Sequence, residues 1–150
     1  MKITYVKGDA TRPQGTGKKI IVHICNDLGA WGAGFVLALS RRWSDPEESY
    51  RNMPNELRVL GQVMTVAVEN DVIVCNMIAQ HGIGRDEKGG IPLRYDALRE
   101  CLTTVNGFAM KINATVHMPR IGCGLAGGDW NLVEKVIEET LKVDVTVYDL

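Results

Sequence analysis

Twice along the chain, an apolar, β-rich run passes straight through a glycine-rich loop into a helix-like segment. The first unit is IIVHICNDLGAWGAGFVLALS, residues 20–40, and the second is TVHMPRIGCGLAGGDWNLVEKVIEETL, residues 115–141. Repeated strand–loop–helix units favour an α/β fold with a largely parallel sheet. Glycine has no Cβ, so backbone N–H groups in such loops can approach an anion closely. A helix that starts at the loop adds unpaired donors and partial positive charge. Two such loops in 150 residues imply a ligand with a diphosphate held between them.

The remaining segments fit the same plan. Residues 2–7 alternate like a strand, and 8–10 end it; 11–19 form a loop. Residues 20–25 are almost wholly apolar, as expected of a strand covered on both faces. The loop 26–34 leads into helical spacing over 35–43. Ser44-Asp45-Pro46-Glu47 is a helix-start signature, with a short helix to about Asn52. Residues 63–68 and 72–77 read as an antiparallel hairpin around Glu69-Asn70-Asp71. A polar loop covers 80–90, a helix 92–113, a strand 114–121, a helix 130–141 capped by Asp129 or Gly128, and a strand 143–147. The order is βααββαβαβ. One domain over 1–150 is expected, with a mixed, mostly parallel sheet of about six strands between helical layers. In such sheets ligands bind beyond the carboxyl ends of the strands. Both glycine loops, Asp9 and Gln80-His81 fall there.

Composition removes several function classes. The net charge is −1, with 17 basic and 18 acidic residues, and no basic cluster is longer than a pair such as Arg41-Arg42. Such a chain has no field for non-specific nucleic-acid binding. The cysteines at 25, 75, 101 and 123 form no Cys-x-x-Cys pair and no zinc spacing with histidine. They read as free thiols in a reducing compartment. Residues 2–17 are too polar for a signal peptide. No stretch approaches the roughly 20 apolar residues of a membrane span. A soluble, cytoplasmic protein is expected, as a monomer. Gly32-Ala33-Gly34-Phe35-Val36-Leu37 lacks the third glycine of a dinucleotide fingerprint, and neither loop continues into the lysine of a Walker motif.

Gly8-Asp9-Ala10, His23-Ile24-Cys25-Asn26, Trp31-Gly32-Ala33-Gly34, Met118-Pro119-Arg120-Ile121-Gly122-Cys123-Gly124-Leu125 and Val145-Thr146-Val147-Tyr148 resemble, in order and over nearly the whole chain, the macrodomain family. Macrodomains are three-layer α/β/α modules that bind ADP-ribose. The resemblance is to the small single-domain branch of ADP-ribose-1″-phosphate phosphatases and terminal ADP-ribose protein glycohydrolases. It implies ADP-ribose or a derivative as ligand, ADP-ribosylated macromolecules as further partners, and no cofactor or metal. It implies that Asp9, beside Ala10, accepts a hydrogen bond from adenine and that Tyr148 lies near the adenine pocket. Asn26 would hold the distal ribose. Trp31, Gly32, Ala33, Gly34 and Phe35 would wrap the diphosphate and ribose from one side. Ile121, Gly122, Cys123, Gly124, Leu125 and Ala126 would do so from the other. The glycohydrolases carry a lysine before the long helix and an aspartate after the Gly-Cys-Gly-Leu motif. Here those positions hold Ile91 or Pro92, and Ala126, so that mechanism does not carry over.

Hydrolysis at the distal ribose needs an activated water and stabilised charge. His81, at a strand end in a glycine-rich loop, has the intrinsic pKa for proton transfer near neutrality. Asp27 is the nearest carboxylate to the first loop, and Asn26 orients water or a hydroxyl. Each also has a plain structural role open to it: Asp27 as a turn residue, His81 as a loop cap. His23 and His117 lie inside strands and read as buried structural histidines. Cys123 reads as a backbone donor rather than a nucleophile, and Trp31 as either a lid over the diphosphate or a packing wedge. The expected activity is dephosphorylation of ADP-ribose-1″-phosphate. Removal of ADP-ribose from macromolecules, deacylation of O-acyl-ADP-ribose, and non-catalytic ADP-ribose reading are the alternatives.

Overall fold

A computed structural model describes residues 1–150. The elements are β1 (Ile3–Lys7), β2 (Lys19–Asn26), α1 (Phe35–Arg42), α2 (Asp45–Arg51), a 3-10 turn (Asn55–Leu57), β3 (Val63–Glu69), β4 (Val72–Gln80), α3 (Tyr95–Ile112), β5 (Thr115–Met118), α4 (Trp130–Thr140) and β6 (Val145–Asp149). The strands form one six-stranded sheet in the order β1-β6-β5-β2-β4-β3. All neighbours are parallel except the β3–β4 hairpin.

Strand periodicity divides the interior into two layers, because successive side chains point to opposite faces. Ile20 and Val22 of β2, with Cys75 and Met77 of β4, face α3 and α4 in a core of 23 buried residues. Ile21 and Cys25, with Val74 and Ile78, face α1 and α2 in a smaller core of nine. The central strands read as continuous apolar runs because both faces are covered.

Among the boundaries that move from the expected ones, β4 runs on from 77 to Gln80, the last strand shifts from 143–147 to Val145–Asp149, and two others shape the ligand edge. The strand expected over 114–121 stops at Met118, because Pro119 has no N–H to extend the ladder. The helix expected from Pro92 begins at Tyr95. Residues 92–94 instead pair with the end of β4: the N–H of His81 donates to Pro92 O at 2.8 Å, and that of Arg94 to Ala79 O at 2.8 Å. This clamp holds the 80–92 loop on the sheet edge where β2, β4 and β5 end. No helix is long and apolar enough to cross a membrane.

Candidate active site

A cleft of about 340 Å³ opens at that edge, within the size range of small-molecule sites. One wall is the first glycine loop, through Ala30, Gly32, Ala33, Gly34 and Phe35. The other is the second, through Pro119, Arg120, Ile121, Gly122, Gly124, Leu125 and Ala126. The ends of β2 and β4 form the floor, with Asn26 and Gln80.

The loops owe their shape to specific side chains. Asn26 Oδ1 accepts the N–H of Leu28 at 3.0 Å and of Ala30 at 3.1 Å, and Asn26 Nδ2 donates to Ala30 O at 2.8 Å. Tyr50, fully buried in α2, accepts the N–H of Gly29 at 3.1 Å, and its hydroxyl lies 2.8 Å from Asn26 Oδ1. Arg58 stacks on the Tyr50 ring at 5.4 Å and donates to the carbonyls of Tyr50, Arg51 and Met53. Gly34 closes the loop at φ 82° and ψ −147°, a region essentially restricted to glycine. In the second loop the N–H of Gly128 bonds Gly122 O at 2.7 Å. A Cβ on Gly128 would lie 2.5 Å from that oxygen and 2.4 Å from Leu93 Cδ2. Tyr95 Oη accepts the N–H of Asp129 at 2.9 Å, and Asp129 caps α4 by accepting from Asn131 N–H at 2.8 Å.

Within this frame, the backbone N–H groups of Gly32, Ala33, Gly34, Gly122, Gly124, Leu125 and Ala126, all lining the cleft, donate to no acceptor in the protein. They come from both walls. Unsatisfied amides gathered in a glycine-lined concavity are an anion-binding arrangement.

Outside the cleft lining, one residue beyond Asn26 and Gln80, His81 Nδ1 lies 2.7 Å from Asp27 Oδ2, while Asp27 Oδ1 accepts the N–H of Gly82 at 2.8 Å. A register shift creates this pair. Cys25 faces Ile78, but Asn26 faces Gln80, so β4 carries one extra residue there. Such bulges re-aim the residues that follow. Asp27 is largely covered, at 16% side-chain exposure, whereas His81 is 61% exposed. With Nδ1 committed to Asp27, Nε2 is the imidazole atom free for proton exchange.

A solved protein from Bacteroides thetaiotaomicron is 56% identical to the chain, with a TM-score of 0.97 over 100% of this chain and 99% of that one. A macrodomain protein from Streptomyces coelicolor is 48% identical, with a TM-score of 0.87 over 99% of each chain. This chain is a macrodomain. Its α/β/α layers are those expected of the family. No family model matches the chain. Among curated proteins, the ADP-ribose 1″-phosphate phosphatase of Saccharomyces cerevisiae is 27% identical over 175 residues, covering 99% of this macrodomain and 98% of the yeast protein. The ADP-ribose glycohydrolase OARD1 of Bos taurus is also similar, at 27% over 153 residues, covering 99% of this chain and 92% of that protein. The macrodomain spans only 16% and 14% of the Mus musculus and Danio rerio chromodomain-helicase-DNA-binding protein 1-like relatives, to which it is 33% identical.

The macrodomain gathers the site residues expected from sequence unevenly. Asn26, Gly32, Ala33, Gly34, Phe35, Ile121, Gly122, Gly124, Leu125 and Ala126 all line the cleft. Trp31 is not a lid. It is 4% exposed, packs edge-on against His23 at 5.4 Å, and donates from Nε1 to Ser40 Oγ at 2.8 Å. Its indole wedges α1 against the sheet. Cys123 does not line the cleft, and its N–H is directed to Arg120 O. Partial burial raises its thiol pKa, which opposes nucleophilic use. Asp9, Ala10 and Tyr148 lie outside the cleft lining. Asp9 Oδ1 accepts both the N–H and the hydroxyl of Thr11 at 2.8 Å. The Tyr148 hydroxyl accepts from Gln14 N–H at 2.8 Å and meets His117 Nδ1 at 2.8 Å. His23 is buried and paired with Asn76. Burial pushes its pKa down to about 4, and burial does the same to His117. Sequence reasoning set Gln80 at this end of the sheet, where it lines the cleft, but did not find Ile83 or Arg120 in the lining, nor Tyr50 and Arg58 beneath the first loop. No group of three or more His, Cys, Asp or Glu side chains is placed to hold a metal ion.

Proposed function

We propose that this macrodomain binds ADP-ribose derivatives and hydrolyses a group carried on C1″ of the distal ribose, with ADP-ribose-1″-phosphate as substrate. The observation that carries this reading is the set of unpartnered N–H groups from two loops across one cleft, with the Asp27–His81 pair one residue beyond its floor at Asn26 and Gln80. The amides would hold the diphosphate without metal or net positive charge. The phosphatase and glycohydrolase relatives support chemistry at the same end of the ligand.

In this reading His81 Nε2 takes a proton from water as the water oxygen adds to phosphorus. The bond between phosphorus and the C1″ oxygen breaks, and the proton passes to that oxygen. ADP-ribose and inorganic phosphate leave. Asp27 holds the imidazole orientation and stabilises the imidazolium, and Asn26 keeps the first loop in register. The test is release of inorganic phosphate from ADP-ribose-1″-phosphate, with ADP-ribose binding measured by calorimetry on the same sample. The reading expects binding together with turnover, and a loss of rate of about 10²-fold or more in His81→Ala with ADP-ribose binding kept. Binding without phosphate release would favour a reader, or a hydrolase of another C1″ linkage. Absence of ADP-ribose binding would refute the ligand assignment.

A further inference from the structure

Beside the cleft lies a second hollow of about 200 Å³, whose lining includes His81, Arg85, Asp86 and Arg94. Ile83 is the one residue common to both linings. His81 lines this hollow and not the cleft, so the Asp27–His81 pair borders the hollow, and Ile83 joins the two spaces.

The hollow holds two guanidinium groups that form no ion pair. The arginine ion pairs of the protein involve Arg42, Arg51, Arg99 and Arg120, not Arg85 or Arg94. Arg85 Nη1 donates to Gly89 O at 2.8 Å, and Arg94 Nη1 donates to the carbonyls of Ile91 and Leu93. One edge of each guanidinium is thus anchored on backbone, while Nε and Nη2 donate to nothing in the protein. Asp86 is the only carboxylate in the lining. Its Oδ1 is occupied by the N–H groups of Gly90 and Lys88. Those bonds, with the positive charge of Arg94 and His81, hold its carboxyl below the ordinary range. Anchored guanidinium forks match the oxygens of a phosphoryl group. A neutral acyl group would leave them unpaired.

We propose that the second hollow is a phosphate subsite, in which Arg85 and Arg94 grip the anionic group on C1″ while the ADP-ribose portion fills the cleft. The assignment rests on the functional reading above and gives the C1″ phosphoryl group of that substrate its own binding residues.

Calorimetry in the His81→Ala background, where turnover is suppressed, tests it with two ligands. ADP-ribose-1″-phosphate is expected to bind roughly tenfold or more tighter than ADP-ribose, as charge-assisted contacts would give. Adding Arg85→Ala should reduce that preference severalfold without changing the affinity for ADP-ribose. Arg94→Lys does the same at the second cation; it keeps a charge near the Ile91 and Leu93 carbonyls, so a folding defect does not obscure the result. Equal affinity for the two ligands, with ADP-ribose still bound, overturns the subsite and leaves the cleft reading standing. A preference that survives in both arginine variants overturns the role of these residues. Failure of both ligands to bind overturns the cleft reading and the subsite with it.

Discussion

Asn26 shows how much of a site residue can be directed at its own chain. Both atoms of its amide are engaged by loop 26–34, and Tyr50 meets the same oxygen from below. Tyr50→Phe removes the acceptor for the Gly29 N–H and one partner of Asn26 while keeping the ring under Arg58. The expected cost is about 1–3 kcal/mol of stability, with ADP-ribose binding weakened roughly tenfold; urea denaturation and calorimetry measure the two effects. Asn26 was legible in the sequence because it ends an apolar strand just before a glycine loop. The contact between His81 and Asp27 was not. It joins residues 54 positions apart and depends on one extra residue in β4, which no local pattern announces. Trp31 was undecidable for a similar reason: an indole beside a glycine loop suits a lid or a wedge, and only the position of Ser40 and His23 selects the wedge.

The two glycine loops lie at the scale of elements, and here the sequence was most informative. Apolar runs covered on both faces had to be central strands, and glycines at their ends had to be loops. The details came from clamps between distant segments. Leu93, just before α3, donates its N–H to Ala126 O at 3.2 Å and fills the space beside Gly122 and Gly128. That packing explains why the helix starts later than its amphipathic pattern suggests. Gly128→Ala sets a Cβ against the Gly122 carbonyl, which as backbone does not yield cheaply. The substitution is expected to destabilise by about 1–3 kcal/mol and to abolish measurable ADP-ribose binding. Gly124→Ala, with open space around its Cβ, should melt within about a degree of the parent. Comparing the two melting temperatures and affinities separates a crowding effect from a general intolerance of the loop to side chains.

Across the whole molecule, two buried neutral histidines link folding to acidity. His23 and His117 have folded pKa values of about 4, against roughly 6.5 in an unfolded chain. Between those values the unfolded chain binds more protons, so stability rises with pH. The contribution is fully present above pH 6.5 and is lost as pH falls through the window to about 4, by about 3 kcal/mol for each histidine. The urea midpoint should fall steeply across this window, and His117→Gln should remove about half of the slope. An unchanged slope in that variant would exclude His117 as a source. The layer order of the fold was readable from strand and helix periodicity. The strand order, with β6 between β1 and β5, was not, because pairing along a sheet depends on contacts that sequence spacing does not encode.

The inequality of the two cores has a dynamic consequence. The first glycine loop, α1 and α2 rest on nine buried residues, whereas α3 and α4 share 23. Cooperative units with less buried apolar contact open at lower free energy than the whole protein. Amide hydrogens of α1 and α2 should therefore exchange through partial opening, and those of α3 only through global unfolding. A ligand seated against both loops must be released before the weaker unit opens. At a hundredfold excess over Kd it would slow exchange in α1 by an amount equivalent to about 2.7 kcal/mol. The protein would thus hold a ligand between a more weakly and a more firmly anchored wall, and the rate at which the weaker wall opens would set how quickly the ligand escapes.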